Sequence, residues 1–165
     1  MSDPVPMDLV GVRIELPTQT PILLLREHGG SRFLPIWIGT NEATAIALAL
    51  EGVEPQRPMT HDLLKVITER LGANLEKVVV TDLEDGTYFA ELVMSRNGEE
   101  VTISSRPSDA IALAARTSSP VFAARAVLDE AGVEIQDEGQ EEEIERFREF
   151  LDDISPDDFE HPHSS

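Results

Sequence analysis

Three polar clusters hold the residue types that could do chemistry: Thr40-Asn41-Glu42, Arg57-Pro58-Met59-Thr60-His61-Asp62 and Ser104-Ser105-Arg106-Pro107-Ser108-Asp109. The last two share one pattern, Arg-Pro followed by a hydroxyl residue and an acid. One reading is helix punctuation. Proline sets the entry into a helix, Thr40 or Asn41, Thr60 and Ser108 cap its first N–H groups, and Glu42, Asp62 and Asp109 meet the positive end of the dipole. Capping does not account for the arginines. A guanidinium just ahead of a helix start either clamps a phosphate or pairs with Asp62 or Asp109 as a structural salt bridge.

The surrounding pattern says which elements must position these clusters. Alternation over residues 8–16, the apolar run 22–25 and the segment 33–38 predict three short strands with tight turns, an antiparallel meander, with Pro35 marking a strand end or a bulge. A helix follows through Leu50. A second opens at Thr60 with an apolar stripe of Leu63, Leu64, Ile67 and Leu71 and stops at Gly72. Three more strands are expected around residues 78–80, 88–93 and 100–104, with Asp85-Gly86 and Asn97-Gly98 as hairpin turns. A third helix runs from Ser108 to Arg116, then a short strand at 120–123, a helical turn at 126–130 and a stop at Gly132. Ala-Ile-Ala-Leu-Ala occurs at 45–49 and again at 110–114. It is either the remnant of a duplication or the common solution for a helix packed closely on a sheet, and both predict close packing. Trp37, Tyr88 and Met94 are read as packing residues, since no aromatic and basic residues interleave as in a platform for single strands.

The expected fold class is α+β: a mixed, largely antiparallel sheet with helices packed on it, plus a C-terminal acidic helix. Two parts are expected, a domain over 1–135 and a tail over 136–165. The formal net charge is −19, and the tail, with 12 acidic and 2 basic residues, carries −10 of it. Glu141 to Asp153 can form a helix with Ile144, Phe147, Phe150 and Leu151 on one stripe, which suits docking. His161 and His163 have no third ligand beside them, so they are read as a frayed end. Such acidity works against long-range attraction of nucleic acid, whose non-specific binding runs on Lys and Arg. Absence of cysteine excludes disulfides and thiolate metal sites, and no apolar run is long enough to span a bilayer. With no signal-like N-terminus, the expectation is a cytoplasmic protein without membrane partners.

Four blocks in order resemble the bifunctional nuclease domain family. They are Leu34-Pro35-Ile36-Trp37-Ile38-Gly39 with Glu42-Ala43; Arg57-Pro58-Met59-Thr60-His61-Asp62-Leu63-Leu64; Asp85-Gly86-Thr87-Tyr88-Phe89-Ala90; and Arg106-Pro107-Ser108-Asp109-Ala110-Ile111-Ala112-Leu113-Ala114. The resemblance runs from about residue 10 to about residue 135. It implies a small α+β domain that associates as a homo-oligomer, and, from some plant members, hydrolysis of RNA and DNA. The family commonly has an acid where Ser104 stands here, so any metal ligand at that place is lost.

For a nuclease, the residues would divide as follows. Glu42, Asp62 and Asp109 would hold Mg²⁺ or Mn²⁺, His61 would be the general base, and Arg57 and Arg106 the phosphate clamps. This requires the three helix starts to converge. The competing expectation is a non-catalytic homo-oligomeric module for a protein partner or an anionic small ligand, favoured by the net charge, Ser104 and the tail.

Overall fold

A computed structural model describes residues 3–134. The tail helix expected over 141–153 and the terminal histidines lie outside the described residues. The chain runs β1 (Val5–Glu15), β2 (Thr20–Glu27), β3 (Arg32–Trp37), α1 (Thr40–Leu50), α2 (Thr60–Arg70), β4 (Ala73–Glu84), β5 (Thr87–Arg96), β6 (Glu99–Ser105), α3 (Pro107–Thr117), β7 (Val121–Ala123), α4 (Arg125–Ala131) and β8 (Val133–Glu134). All eight strands join one sheet in the order β6-β5-β4-β7-β1-β2-β3-β8. Every pairing is antiparallel except β4 with β7. The molecule is thus an α+β protein with a mixed, mostly antiparallel sheet and helices packed on it.

Each half of the sheet is a three-stranded meander followed by a helix that carries the shared pentapeptide. The halves, β1-β2-β3-α1 and β4-β5-β6-α3, lie in opposite order on either side of β7. α1 and α3 pack against each other. Ile46, Ala47 and Leu48 of the first pentapeptide and all five residues of the second are buried. Alanine on both helices lets the backbones come close, which joins the halves into one core. The β4–β5 and β5–β6 turns place Asp85-Gly86 and Asn97-Gly98 at positive φ, as two-residue hairpin loops matched to strand twist require.

Pro35 neither ends nor bulges its strand. It stands within β3 opposite Leu24 of β2. β8 covers only Arg32 and Phe33 of β3, so among the described residues the strand has no second neighbour beside Pro35 and the missing N–H breaks no ladder bond. Its carbonyl accepts a hydrogen bond from the Tyr88 hydroxyl at 3.1 Å. Tyr88 is the second residue of β5, and four strands separate β5 from β3 in the sheet order. The sheet therefore coils until its two halves meet at this end.

The second helix departs most from its reading. None of its residues is buried, and Leu63, Leu64, Val66, Ile67 and Leu71 are all exposed, 38–60% of their surface remaining open. α2 is fastened to α3 by its polar edge instead, through His61 and Asp62. The apolar stripe is real, but it faces outward.

Candidate functional site

The starts of the helices come together at the end of the sheet where its halves meet. Thr40 or Asn41, Thr60 and Ser108 do not cap them. The cap positions are Gly39, Met59 and Arg106, and none makes a side-chain cap bond through a hydroxyl. The chain enters each helix earlier than the hydroxyl: Thr40 and Thr60 are already the first helical residues, and Pro107 occupies that place in α3. Only Asp62 serves its helix start directly, Oδ2 accepting from the Met59 N–H at 3.0 Å.

Freed from capping, the other acids turn to one guanidinium. Arg106 donates from Nε and Nη2 to the two oxygens of Asp109, at 2.9 and 3.1 Å, a fork on a carboxylate. Its Nη1 donates to Glu42 Oε1 at 3.1 Å. His61 Nε2 lies 2.9 Å from Asp109 Oδ1. Glu42 of α1, His61 of α2, and Arg106 and Asp109 at the start of α3 thus form one connected network. Gly39 belongs to its construction, because a Cβ there would overlap the Glu42 carboxylate.

Electrostatically the centre of the network is the Asp109–Arg106 pair, each partner favouring the charged form of the other. Burial pushes the Asp109 carboxyl up, but the Arg106 and His61 hydrogen bonds outweigh it and hold the group below the usual aspartate range. Arg106 is shifted upward, chiefly by its bond to Asp109 and then by Glu42. Asp62 is likewise pushed up by burial and brought below its usual range by Arg116 and the Met59 N–H.

Asp62 does not join the others. Its Oδ1 accepts from Arg116 Nε at 2.6 Å, and Arg116 is itself nearly buried and donates from Nη1 to the Ala112 carbonyl. Asp62 therefore holds α2 to α3. Arg57 is exposed and makes no ion pair among the described residues, standing apart from the network. Glu42, Asp62 and Asp109 do not form a three-carboxylate metal group, and among the described residues no group of three or more His, Asp or Glu is placed to hold an ion. The place between Glu42 and Asp109 where a cation would sit is taken by the Arg106 guanidinium. The donor set present fits an arginine-bridged acid pair rather than a divalent-metal cage.

Ser104 lies elsewhere again. It pairs with Glu91 on β5, while its neighbour Ser105 pairs with Ala90 of the core. Because alternate strand residues face opposite sides, position 104 looks away from the network. An acid there would not complete it.

Beside the network is a cavity of about 400 Å³, whose lining includes Trp37, Gly39, Tyr88, Arg106, Pro107 and Ser108. Arg106 belongs to both. Of these residues only Arg106 was singled out for chemistry from the sequence. Trp37, read as a packing residue, is 56% exposed at the end of β3. Ser108, read as a cap, is only 5% exposed and its hydroxyl has no hydrogen-bond partner among the described residues. The Arg-Pro pair was the available signal: proline at the first helical position moves the cap back to Arg106 and leaves Ser108 without that role.

An α+β domain with an acid–arginine–histidine network at converging helix starts is the class defined so far. The bifunctional nuclease domain matches residues 23–136, and the chain belongs to that family. It is 49% identical over 159 residues to an uncharacterised protein of Mycobacterium tuberculosis (strain H37Rv), covering 92% of this chain and 95% of that protein. It is 30% identical over 131 residues to bifunctional nuclease 2 of Arabidopsis thaliana, and 27% identical over 117 residues to bifunctional nuclease 1 of Oryza sativa subsp. indica. Those matches cover 76% and 69% of this chain but only 40% and 35% of the plant proteins.

Proposed function

We propose that the protein hydrolyses phosphodiester bonds of RNA or DNA at the end of the sheet where α1, α2 and α3 begin. The observation that carries this reading is the single network joining Arg106, Asp109, His61 and Glu42 beside an open cavity. Family membership and the names of the plant relatives support it.

Arg106 takes the phosphate. Its fork on Asp109 is two-fold and its bond to Glu42 single, so Glu42 is the partner it exchanges for a phosphoryl oxygen. Asp109 bonds Nε2 of His61, which leaves Nδ1 to accept a proton from the attacking water. The water oxygen bonds to phosphorus as its proton passes to Nδ1, the bond to the leaving sugar oxygen breaks, and that oxygen takes up a proton from solvent, to which His61 later returns its own. Asp109 steadies the imidazolium that forms meanwhile. No step is assigned to Mg²⁺ or Mn²⁺, because the carboxylates present are committed to arginines; Glu42 and Asp109 are the pair an ion would need.

The test is hydrolysis of single-stranded RNA and DNA in EDTA, Mg²⁺ and Mn²⁺, with wild type beside Arg106→Gln and His61→Asn. Turnover lost in both variants supports the reading. Wild-type turnover no higher than that of Arg106→Gln in all three conditions would sink it, and turnover confined to Mg²⁺ or Mn²⁺ would overturn the assignment of proton transfer to His61 without an ion.

One observation favours a second role, assembly with copies of itself. α2 exposes an apolar face, and Asp62 and Glu69 are balanced within it by Lys65 and Arg70. In a chain of net charge −19, this is a surface where like-charge repulsion between copies is small. Two copies related by a two-fold axis would cover each other's α2, leaving the sheet end open.

A further inference from the structure

We infer that the cavity between the starts of α1 and α3 is a binding pocket for a nucleoside monophosphate group, with Ser108 and Arg106 on the phosphate and Trp37 on the base. The inference shares with the hydrolase reading the assignment of phosphate to Arg106. It does not depend on His61 or on turnover.

Ser108 is the starting point. A serine 5% exposed would ordinarily have its hydroxyl bonded, since an unmade buried hydrogen bond is costly. Here the hydroxyl has no partner among the described residues, yet no fully enclosed polar side-chain atom there lacks one. The oxygen must therefore keep a narrow opening, and the cavity it lines is that opening. A hydroxyl so placed is a donor held in reserve for a ligand.

The rest of the lining defines that ligand. Ser108 is the second residue of α3, an eleven-residue helix whose first N–H groups are free of side-chain caps and face an anion favourably. Gly39, the start of α1, lines the same cavity. Arg106 adds a guanidinium that is largely exposed, held by Asp109 and joined to Glu42 by a single bond that a phosphate oxygen can replace. These are three features for one phosphate. Trp37, exposed at the end of β3, lines the same cavity, and its Nε1 donates to Glu15 Oε2 at 3.3 Å. The Tyr88 hydroxyl is already committed to Pro35, so the wall it forms is apolar toward the ligand. An exposed indole beside an anion site suits a base stacked over a phosphate. A volume of about 400 Å³ suits one nucleotide, not a long strand, and the acidic chain repels polymers more than it repels a single phosphate.

Trp37 is the sole tryptophan, so its fluorescence reports this site alone. The full chain is titrated with adenosine 5′-monophosphate, inorganic phosphate and adenosine, with calorimetry alongside. The expected result is saturable quenching by the monophosphate, with adenosine weaker by about tenfold or more for want of the charge-assisted bonds. Ser108→Ala weakens the monophosphate several-fold, and its thermal midpoint shows that it folds. Trp37→Leu makes the monophosphate bind no better than inorganic phosphate. A 5′-phosphorylated tetranucleotide that binds as tightly places the group at a strand end; one that binds less tightly places it on free nucleotides. No saturation by the monophosphate at about 10 mM, where even weak sites fill, would overturn the proposal. So would a Ser108→Ala variant that binds like wild type. Binding without hydrolysis of RNA or DNA leaves the pocket standing and removes the hydrolase reading; hydrolysis without monophosphate binding does the reverse.

Discussion

Arg106 spans two carboxylates, and the two possible uses of that arrangement differ in what Glu42 does. As a metal ligand Glu42 is needed for activity. As a resting partner that gives way to phosphate it is a competitor, and Glu42→Ala should tighten binding of the monophosphate by about threefold, as expected when one exposed ion-pair partner is removed. Calorimetry decides the matter, and weaker binding in the variant would refute the exchange. Arg116 behaves in the opposite way. It is nearly buried, and its removal leaves Asp62 without its cation. Arg116→Met is expected to cost about 2 kcal/mol or more in urea unfolding, and Asp62→Asn in the same chain to recover part of that loss. Ser108→Ala should change stability by less than about 0.5 kcal/mol, since no hydrogen bond is lost.

At the scale of the element, α2 is held by its charges rather than by its apolar face. Asp62 and Asp109, the acids of that attachment, both lie below the ordinary aspartate value of 3.8 when folded. A folded value below the unfolded one stabilises fully above the unfolded value, and the stabilisation disappears as the pH falls through the folded value. Stability should therefore be level down to about pH 5 and fall in the acid range below about pH 4. Hydrogen exchange should show α2 loosening first, and a Asp62→Asn, Asp109→Asn double variant should show a flatter acid limb. If α2 and α3 exchange in step throughout, the attachment is not electrostatic. The outward face of the same helix is the surface proposed for assembly. Leu63→Glu with Ile67→Glu should yield monomers in light scattering without loss of thermal stability, because neither residue is in the core. A chain ending at residue 135 separates the alternatives. If it assembles while the full chain does not, the occupant of α2 is the tail.

For the whole molecule, the charge of −19 opposes the approach of a polyanion, whereas the proposed site would take a phosphate. Screening relieves the first more than it weakens the second, since the repulsion acts at long range and the site contacts at short range. Hydrolysis of long RNA is therefore expected to speed up as salt is raised from about 20 to about 150 mM, while hydrolysis of a dinucleotide stays level. Enzymes that bind polymers through basic patches show the reverse. A rate on long RNA that falls with salt would mean that a basic surface has been overlooked. Among the described residues no helix is long and apolar enough to cross a membrane.

What the sequence determined by itself was everything governed by local chemistry. Period two over 8–16, the apolar run over 22–25 and the Asp-Gly and Asn-Gly turns dictated the meanders. The apolar period of 3.6 dictated the helices, and four ordered blocks dictated the family. It also supplied four of the residues that meet, Glu42, His61, Arg106 and Asp109, as acids, base and cation at helix starts. Three things were decided only by tertiary structure. A stripe on a helix shows that a face is apolar but not whether it turns inward, and α2 turns outward because its polar edge found Asp109 and Arg116. A carboxylate's partner is chosen across space, so Asp62 left the other two acids for an arginine 54 residues away. And the coiling of the sheet, which brought Tyr88 to Pro35 and opened the cavity on Ser108 and Trp37, arises from the packing of two halves that no local pattern encodes.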